Sequence, residues 1–371
     1  MRKKLCLLAL VLLMIMLSGC MAPKGKTIIL NEPDESENNV PVLSSDFEVK
    51  RVVPVAMDKI DPDGLHPDAR RALCGWKDSE RLLVMSVSKS TLPQDALPEG
   101  TVEQQTERTL TQFATLNYQY GFFDPLFALT DVRVDCGEVS PDGKYVACIA
   151  GNTLSVYSLS GGSLLSSVSR DVYAPRVTFS KDGTTVYFTS AGETKRLEAL
   201  DVLTGQVRTV QDAKSYRVLC GDKDNLLLTV VSQGTEEISF LSGGTMRAAL
   251  LTGKKSGNAC LLSDGSALLV YGDGLFRISG SSGAVLLQSG ITAFAYDEES
   301  KYIAYALRST DGSIDVCLGS FDQGTLEKGN LAYKDNEIGI STLCWGTDLR
   351  RLYVQGADKQ NVQRSYVIEF D

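Results

Sequence analysis

A chain of 371 residues, 43 % of them hydrophobic, is long enough to bury a full core, and its 33 glycines against 11 prolines are typical of a turn-rich β protein. The formal net charge is −9, and the sequence contains no basic stripe. Nucleic acid and anionic lipid headgroups are therefore poor general partners, because their capture needs clustered positive charge.

The N-terminal residues 1–20 predict that the protein is exported from the cytoplasm. Basic residues at positions 2–4 precede an apolar run at 5–17, which is too short to span a bilayer core of about 30 Å but fits the apolar region of an export signal. The following LSGC resembles a bacterial lipobox. The resemblance implies that residues 1–19 are removed and that Cys20 carries lipid, which would hold the protein on the extracytoplasmic face of a bacterial membrane. An ordinary secretory signal followed by an incidental cysteine is the alternative.

A polar segment separates Cys20 from the folded body. Residues 20–46 contain proline and show no hydrophobic period, which indicates a flexible tether. The body, residues 47–371, opens with FEVKRVVPV at 47–55, whose composition is that of a β-strand.

A repeated unit of apolar strand, polar turn and apolar strand fills the body. In VSPDGKYVACIA, residues 139–150, Pro141 presets the turn, Asp142 bonds the backbone ahead and Gly143 takes a positive φ. Spacings near 40 residues, such as Asp142 to Asp182, are the four-strand period of propeller blades. Seven copies begin at Cys74, Val139, Phe179, Cys220, Leu261, Ala295 and Cys344.

These repeats predict an all-β fold, a β-propeller of seven four-stranded blades. Six or eight blades stay open, because the Asp-Gly turn is lost in the first, fourth and seventh copies. The last copy, with strands predicted at 351–355 and 365–370, lacks one strand before the chain ends. We therefore predict that residues 47–55 supply the outer strand of this blade and close the ring.

The first blade is predicted to contain an insertion at about residues 90–121. Within it, residues 101–108 predict a short helix, because Thr101 and Gln104 form a capping box. The insertion should emerge on the end of the ring where the chain passes from blade to blade. Packing of its aromatic side chains between the first blade and its neighbour is the alternative to partner binding. The predicted partner-binding residues on that end are Tyr118, Tyr120, Phe122, Phe123, Tyr173, Tyr216, Lys254 and Lys255.

The units VSPDGKYVA, FSKDGTTVYF and LLSDGSALLV resemble the repeat of TolB-like and WD-repeat-like propellers. Trp76 and Trp345 lie at or near the aromatic position of that pattern. The resemblance implies the propeller fold across most of the body, and its motif is structural, so it implies no particular activity.

No catalytic motif is found in the sequence. His66 is the only histidine and lies in a polar segment, so we interpret it as a surface residue. The acidic run at 297–299 falls where the other copies have a turn and is interpreted as a solvated turn. The cysteine spacings fit no zinc pattern, and neither a metal nor a cofactor is predicted.

Three cysteines occupy the equivalent position in three different copies of the repeat. Cys220, Cys260 and Cys344 each lie four residues before the turn aspartate, which predicts thiols packed as small apolar groups on the innermost strands. A disulfide or a reactive thiol is the alternative.

Together these patterns predict a monomeric, lipid-anchored binding or scaffold module rather than an enzyme. Its predicted partner is a protein or an envelope polymer. Two alternatives remain: an envelope hydrolase or lyase that uses acidic residues near the ring axis, and a glycan-binding module that uses the aromatic side chains.

Overall fold

The computed structural model describes residues 47–55, 70–91, 107–134, 136–169, 177–191, 195–212, 216–232, 235–309, 312–335 and 338–371. Every regular element in these ranges is a strand, and the strands form seven four-stranded antiparallel sheets. The sheets are the blades of a β-propeller, which confirms the predicted fold and blade count. The same ranges contain no helix with the length and apolarity needed to cross a bilayer.

Blades are numbered by the chain order of their inner strands, and each is given from its inner strand outward. Blade one contains β2 (Arg70–Trp76), β3 (Arg81–Thr91), β4 (Glu107–Asn117) and β5 (Phe123–Thr130); blade two, β6 (Cys136–Val139), β7 (Tyr145–Ala150), β8 (Thr153–Ser158) and β9 (Leu164–Ser169); blade three, β10 (Thr178–Phe179), β11 (Thr185–Ala191), β12 (Lys195–Asp201) and β13 (Val207–Asp212). Blade four contains β14 (Tyr216–Gly221), β15 (Asn225–Ser232), β16 (Thr235–Ser242) and β17 (Thr245–Lys254); blade five, β18 (Ser256–Leu261), β19 (Ala267–Tyr271), β20 (Gly274–Ser279) and β21 (Gly283–Ser289). Blade six contains β22 (Ile291–Tyr296), β23 (Tyr302–Arg308), β24 (Ile314–Asp322) and β25 (Thr325–Asp335); blade seven, β26 (Ile338–Trp345), β27 (Arg351–Asp358), β28 (Gln363–Phe370) and β1 (Val49–Pro54).

The two ends of the blades carry different connections. Because neighbouring strands run antiparallel, the turn between the inner and second strands lies at the same end as the turn between the third and outer strands. We call this the turn end. The hairpins between the second and third strands and the passages from blade to blade lie at the opposite end, the connection end.

The repeated turn is held by its own side chains. In blade two the Ser140 hydroxyl donates to Asp142 Oδ1 (2.7 Å) and accepts the Tyr145 N–H (3.0 Å), while Gly143 has a φ of 68°. Blade three repeats the arrangement with Ser180 and Asp182. A serine, an aspartate and a glycine at fixed spacing thus determine the register of the two strands they join.

Neighbouring blades cover each other's faces. Ile149 and Val156 of blade two pack with Phe179 and Phe188 of blade three in one buried cluster. The inner strands are also joined by side chains, since the Trp345 indole N–H of blade seven donates to the Ala295 carbonyl of blade six (3.1 Å). Each sheet is therefore completed by its neighbours, as expected of stacked blades.

The N-terminal strand closes the ring, as predicted. β1 pairs antiparallel with β28 from Val49↔Phe370 to Pro54↔Tyr366 and forms the outer strand of blade seven. The Phe47 ring packs against Phe370, with ring centroids 5.5 Å apart. Both chain ends of the described body therefore meet at the turn end of one blade.

The described part of residues 90–121 belongs to blade one. Residues 90 and 91 end β3, residues 107–117 form β4, and residues 118–121 lie in the turn that leads to β5. The run TLTQFATLN at 109–117 is rich in β-branched and aromatic residues, which favours this strand. Glu107 and Arg108, predicted to end a helix, begin β4 instead, and the rest of that prediction lies outside the described residues.

Candidate functional site

A groove of about 540 Å³ lies between blades one and two. Three segments of the chain line it: the end of β5, the passage from blade one to blade two, and the hairpin formed by β7 and β8. The lining residues are Leu129, Asp131, Val132, Arg133, Val134, Cys148, Ala150, Gly151, Thr153, Ser155 and Tyr157. Because both the passage and the hairpin lie at the connection end, the groove belongs to that end of the ring.

Hydrogen bonds fix the passage that forms one wall of the groove. The Thr111 hydroxyl of β4 donates to the Val132 carbonyl (2.7 Å) and accepts the Val134 N–H (3.3 Å). The Asp131 N–H donates to the Thr109 carbonyl (2.7 Å), and Asp131 has a φ of 60°, which is rare outside glycine, asparagine and aspartate. The wall is therefore a preformed surface.

The groove offers groups of several chemical kinds. Asp131 and Arg133 are exposed beside it, so it presents both signs of charge. Thr153 and Ser155 contribute hydroxyl groups from β8, and Tyr157 is a half-buried aromatic whose ring centroid lies 5.8 Å from that of Phe127. Such a surface can contact an apolar group and also form hydrogen bonds and ion pairs.

Blade one also carries an arm beside this groove. β3 and β4 stay paired as far as Thr91↔Glu107, whereas β2 ends its pairing at Val87 and β5 at Leu110. Residues 88–91 and 107–109 therefore extend as two strands beyond the four-stranded part of the sheet, at the connection end. An extension of this kind adds edge surface next to the groove.

The aromatic residues predicted for partner binding lie at the turn end. Tyr118, Tyr120 and Phe122 are in the turn between β4 and β5, and Phe123 begins β5. Tyr118 is 3 % exposed and Phe123 is half buried in the core between blades one and seven. Of these four residues, only Tyr120 and Phe122, which are 71 % and 68 % exposed, present their rings to solvent.

The remaining predicted residues lie at the other end of the ring. Tyr216 begins β14 and is buried, Lys254 ends β17, and Lys255 follows it; both lysines are exposed. Tyr173 lies outside the described residues. The single binding face predicted for all these residues is therefore wrong: the third strand of blade one precedes Tyr118, which reverses the end at which the aromatic residues emerge.

One acidic side chain reaches across the ring at the turn end. Glu298, in the turn between β22 and β23, pairs with Lys181 of blade three (2.5 Å) and accepts the Ser263 N–H and hydroxyl of blade five (both 2.6 Å). Burial alone would raise the pKa of Glu298, but the hydrogen bonds from Lys181 and Ser263 outweigh it and lower that pKa. The acidic run at 297–299 is thus a turn, as predicted, and it also links three blades.

Thiols lie on the inner strands, as the repeats predict. Cys220, Cys260 and Cys344 are in β14, β18 and β26, and none of the three is bonded to another cysteine. Burial raises the pKa of Cys260 to about 12 and that of Cys344 to about 11, so these groups stay protonated near neutral pH. Within the described ranges, no group of three or more His, Cys, Asp and Glu side chains could hold a metal ion. Cys20 and His66 lie outside those ranges.

No protein-family model and no curated protein matches the chain. Solved structures do match. An oligogalacturonate lyase from Vibrio parahaemolyticus is 11 % identical with a TM-score of 0.53, over 88 % of this chain and 95 % of the lyase. A chain of the mitotic checkpoint complex is also 11 % identical, with a TM-score of 0.52, over 93 % of this chain and 100 % of that one.

A prolyl endopeptidase gives a TM-score of 0.54 at 11 % identity, over 81 % of this chain and 48 % of the peptidase. TolB from Acinetobacter baumannii is among the matches with a TM-score of 0.36. The propeller fold that the resemblance implies is confirmed by the seven four-stranded blades, and the matches with a TM-score above 0.5 share that fold. A lyase, a peptidase and a chain of a checkpoint complex are thus similar to this chain in fold, so the fold leaves the activity open.

Proposed function

We propose that the protein is a lipid-anchored, extracytoplasmic β-propeller that binds a segment of a partner protein in the groove between blades one and two. The preformed groove beside the arm carries this proposal. Its hydroxyl groups and charged side chains can bond the backbone and polar side chains of an extended peptide segment, and its aromatic side chain can contact an apolar one. The propeller acts as a monomer that presents this surface.

The position of the tether supports this assignment. β1 begins at the turn end, and 26 residues separate the proposed lipid on Cys20 from Phe47. The chain therefore leaves the described body at the end opposite the groove. A partner can therefore reach the connection end without displacing the tether.

In-cell cross-linking followed by mass spectrometry tests the proposal. The double variant Arg133→Glu, Thr153→Arg reverses one charge beside the groove and fills its hairpin side with a long side chain. We expect capture of a defined partner to fall at least about tenfold, which corresponds to about 1.4 kcal/mol of binding free energy. Both positions are partly or fully exposed, and a melting temperature equal to that of the unsubstituted chain verifies that the fold is intact.

Arg208→Glu is the matched control, because it reverses one exposed charge on the outer strand of blade three. It should capture the partner as the unsubstituted chain does. Equal capture by the groove variant would reject the groove as the binding site, and capture of no defined protein by the unsubstituted chain would reject a protein partner.

A further inference from the structure

The most exposed large apolar side chains of the described residues lie on one arc of the ring. Tyr120 (71 % exposed) and Phe122 (68 %) are in the turn between β4 and β5, Leu203 (69 %) is in the turn between β12 and β13, and Leu164 (55 %) begins β9. All four are at the turn end, at the start of or just before the outer strands of blades one, two and three.

The corresponding turns of the next three blades carry no such side chain. They contain Gly243 and Gly244 in blade four, residues 280–282 (Gly-Ser-Ser) in blade five, and Gln323 with Gly324 in blade six. Small and polar residues are the ordinary choice for tight turns. The apolar arc is therefore a local departure from the pattern that the other turns follow.

The arc adjoins the point where the tether reaches the body. Phe47 lies at the turn end of blade seven, next to blade one in the ring. Glu369 of β28 accepts hydrogen bonds from Arg51 of β1 (2.5 Å) and from Tyr118 (2.5 Å), in the same turn as Tyr120 and Phe122. The outer strand that continues the tether is thus bonded to the segment that carries the two most exposed rings.

Charge at the turn end also differs between these two groups of blades. The turns between the inner and second strands of blades one to three contain four acidic and three basic side chains, whereas those of blades four to six contain six acidic and two basic side chains. The larger excess of negative charge in blades four to six favours water over a bilayer surface. The acidic residues of these turns are Asp222, Asp224, Asp264, Asp297, Glu298 and Glu299.

We propose that the turn end of blades one to three rests on the bilayer that holds the Cys20 lipid, with Tyr120, Phe122, Leu164 and Leu203 in the headgroup region. This inference rests on the lipid anchor of the proposed function. Aromatic side chains with a polar edge are favoured at membrane interfaces, and a second contact adds to the acyl chains that alone hold the protein. The 26 residues between Cys20 and Phe47 span at most about 90 Å when fully extended, and this length permits the contact.

Tryptophan quenching by brominated lipid tests the contact. Full-length lipidated protein is reconstituted on phosphatidylcholine vesicles as F122W, and as the matched control S281W in the corresponding turn of blade five. The unsubstituted chain gives the background of Trp76 and Trp345. We expect brominated lipid to reduce the added emission of F122W at least about twofold, as for a ring at headgroup level, and to leave that of S281W unchanged.

A second variant shows whether the arc acts as a unit. Adding Leu164→Ser and Leu203→Ser to F122W should weaken the quenching if the other two contacts hold this end on the bilayer. A high-salt wash of vesicles that carry the unsubstituted chain tests the lipid anchor separately, because an anchored chain stays with the vesicles. If the chain stays with the vesicles but F122W is not quenched, or if F122W and S281W are quenched equally, the contact of the turn end with the bilayer is rejected and the anchor is not. Loss of the chain from the vesicles would overturn the anchor as well.

Discussion

Blades two and seven have the same strand order and antiparallel pairing but are assembled differently. Blade two is one continuous stretch of chain, from Cys136 to Ser169, and its two inner strands are joined by the repeated serine, aspartate and glycine turn. Blade seven takes three strands from residues 338–370 and its outer strand from Val49–Pro54. The comparison shows that the strands of an internal blade are joined in sequence by local turns, whereas the closing blade also depends on pairing between the two ends of the chain.

Removing β1 should have the largest effect. Phe47 and Val55 are buried, and burial of each such side chain contributes about 1.5 to 3 kcal/mol. Their loss, together with the unpaired edge of β28, is large against a total stability of about 5 to 15 kcal/mol. We expect a chain that begins after Val55 to lose its cooperative thermal unfolding transition.

A chain that begins at Phe47 is the control for this truncation, because it keeps β1 and its partners. Circular dichroism during heating should show its melting temperature unchanged from that of the full chain. If the chain that begins after Val55 melted at the same temperature as the full chain, ring closure by β1 would contribute nothing to stability, and the difference between blades two and seven would have no energetic consequence.

A second, smaller effect is expected at the side chains that hold the joint. Glu369 accepts hydrogen bonds from Arg51, Tyr118 and Gln119, and so connects β1 and β28 to blade one. Hydrogen bonds to charged groups contribute about 1.5 to 3 kcal/mol, and the half exposure of Arg51 argues for the low end. Glu369→Gln should therefore lower the free energy of unfolding in urea by about 1.5 kcal/mol at pH 7.

The loss in the free energy of unfolding caused by Glu369→Gln, called the deficit below, should depend on pH. Burial would raise the pKa of Glu369, but the hydrogen bonds from Arg51 and Tyr118 outweigh it and lower the pKa below its ordinary value of 4.5. The charged form therefore stabilises the fold above pH 4.5, and its contribution disappears as the pH falls through the folded-state pKa. Glu299→Gln, at an exposed carboxylate, should show no deficit. A deficit of constant size at all pH values would assign the effect to shape rather than charge.

Much of the fold could be predicted because its signals are local. The turn at Ser140, Asp142 and Gly143 indicates two paired strands, and its recurrence near every 40 residues indicates blades. The closing strand could be predicted from the strand composition of residues 47–55 and the missing strand of the last copy.

The site could not be predicted in the same way, because it depends on contacts between distant segments. Tyr118 and Glu369 are 251 residues apart, so an aromatic residue that looks available for binding is a buried part of the joint. The groove residues Asp131, Arg133 and Thr153 follow no repeat, and they come together only when blade two packs on blade one. The sequence does contain one signal for the aromatic residues. The run 109–117 is rich in threonine, which favours a strand, and a third strand before Tyr118 places the aromatic residues at the turn end.

The smallest predicted effect concerns the one turn that blades two and seven build from different residues. Gly143 in blade two has a φ of 68°, and Leu349 at the same position in blade seven has a φ of 56°. The Leu349 N–H donates to the Gly346 carbonyl, as the Gly143 N–H donates to Ser140. A left-handed backbone conformation costs an L-residue about 1 to 2 kcal/mol, and glycine avoids this strain. Glycine also loses more conformational entropy on folding, which cancels about 0.5 to 1 kcal/mol of the stabilisation.

Leu349→Gly should therefore raise the free energy of unfolding by about 0.5 to 1 kcal/mol, and Gly143→Ala should lower it by a similar amount. Urea denaturation at pH 7 measures both. Gly161→Ala is the control, because Gly161 has no positive φ and a Cβ there would meet nothing within 4 Å, so a methyl group adds no strain. If Leu349→Gly were destabilising instead, contacts of the leucine side chain would outweigh its backbone strain, and the turn of blade seven would be held by packing where that of blade two is held by glycine.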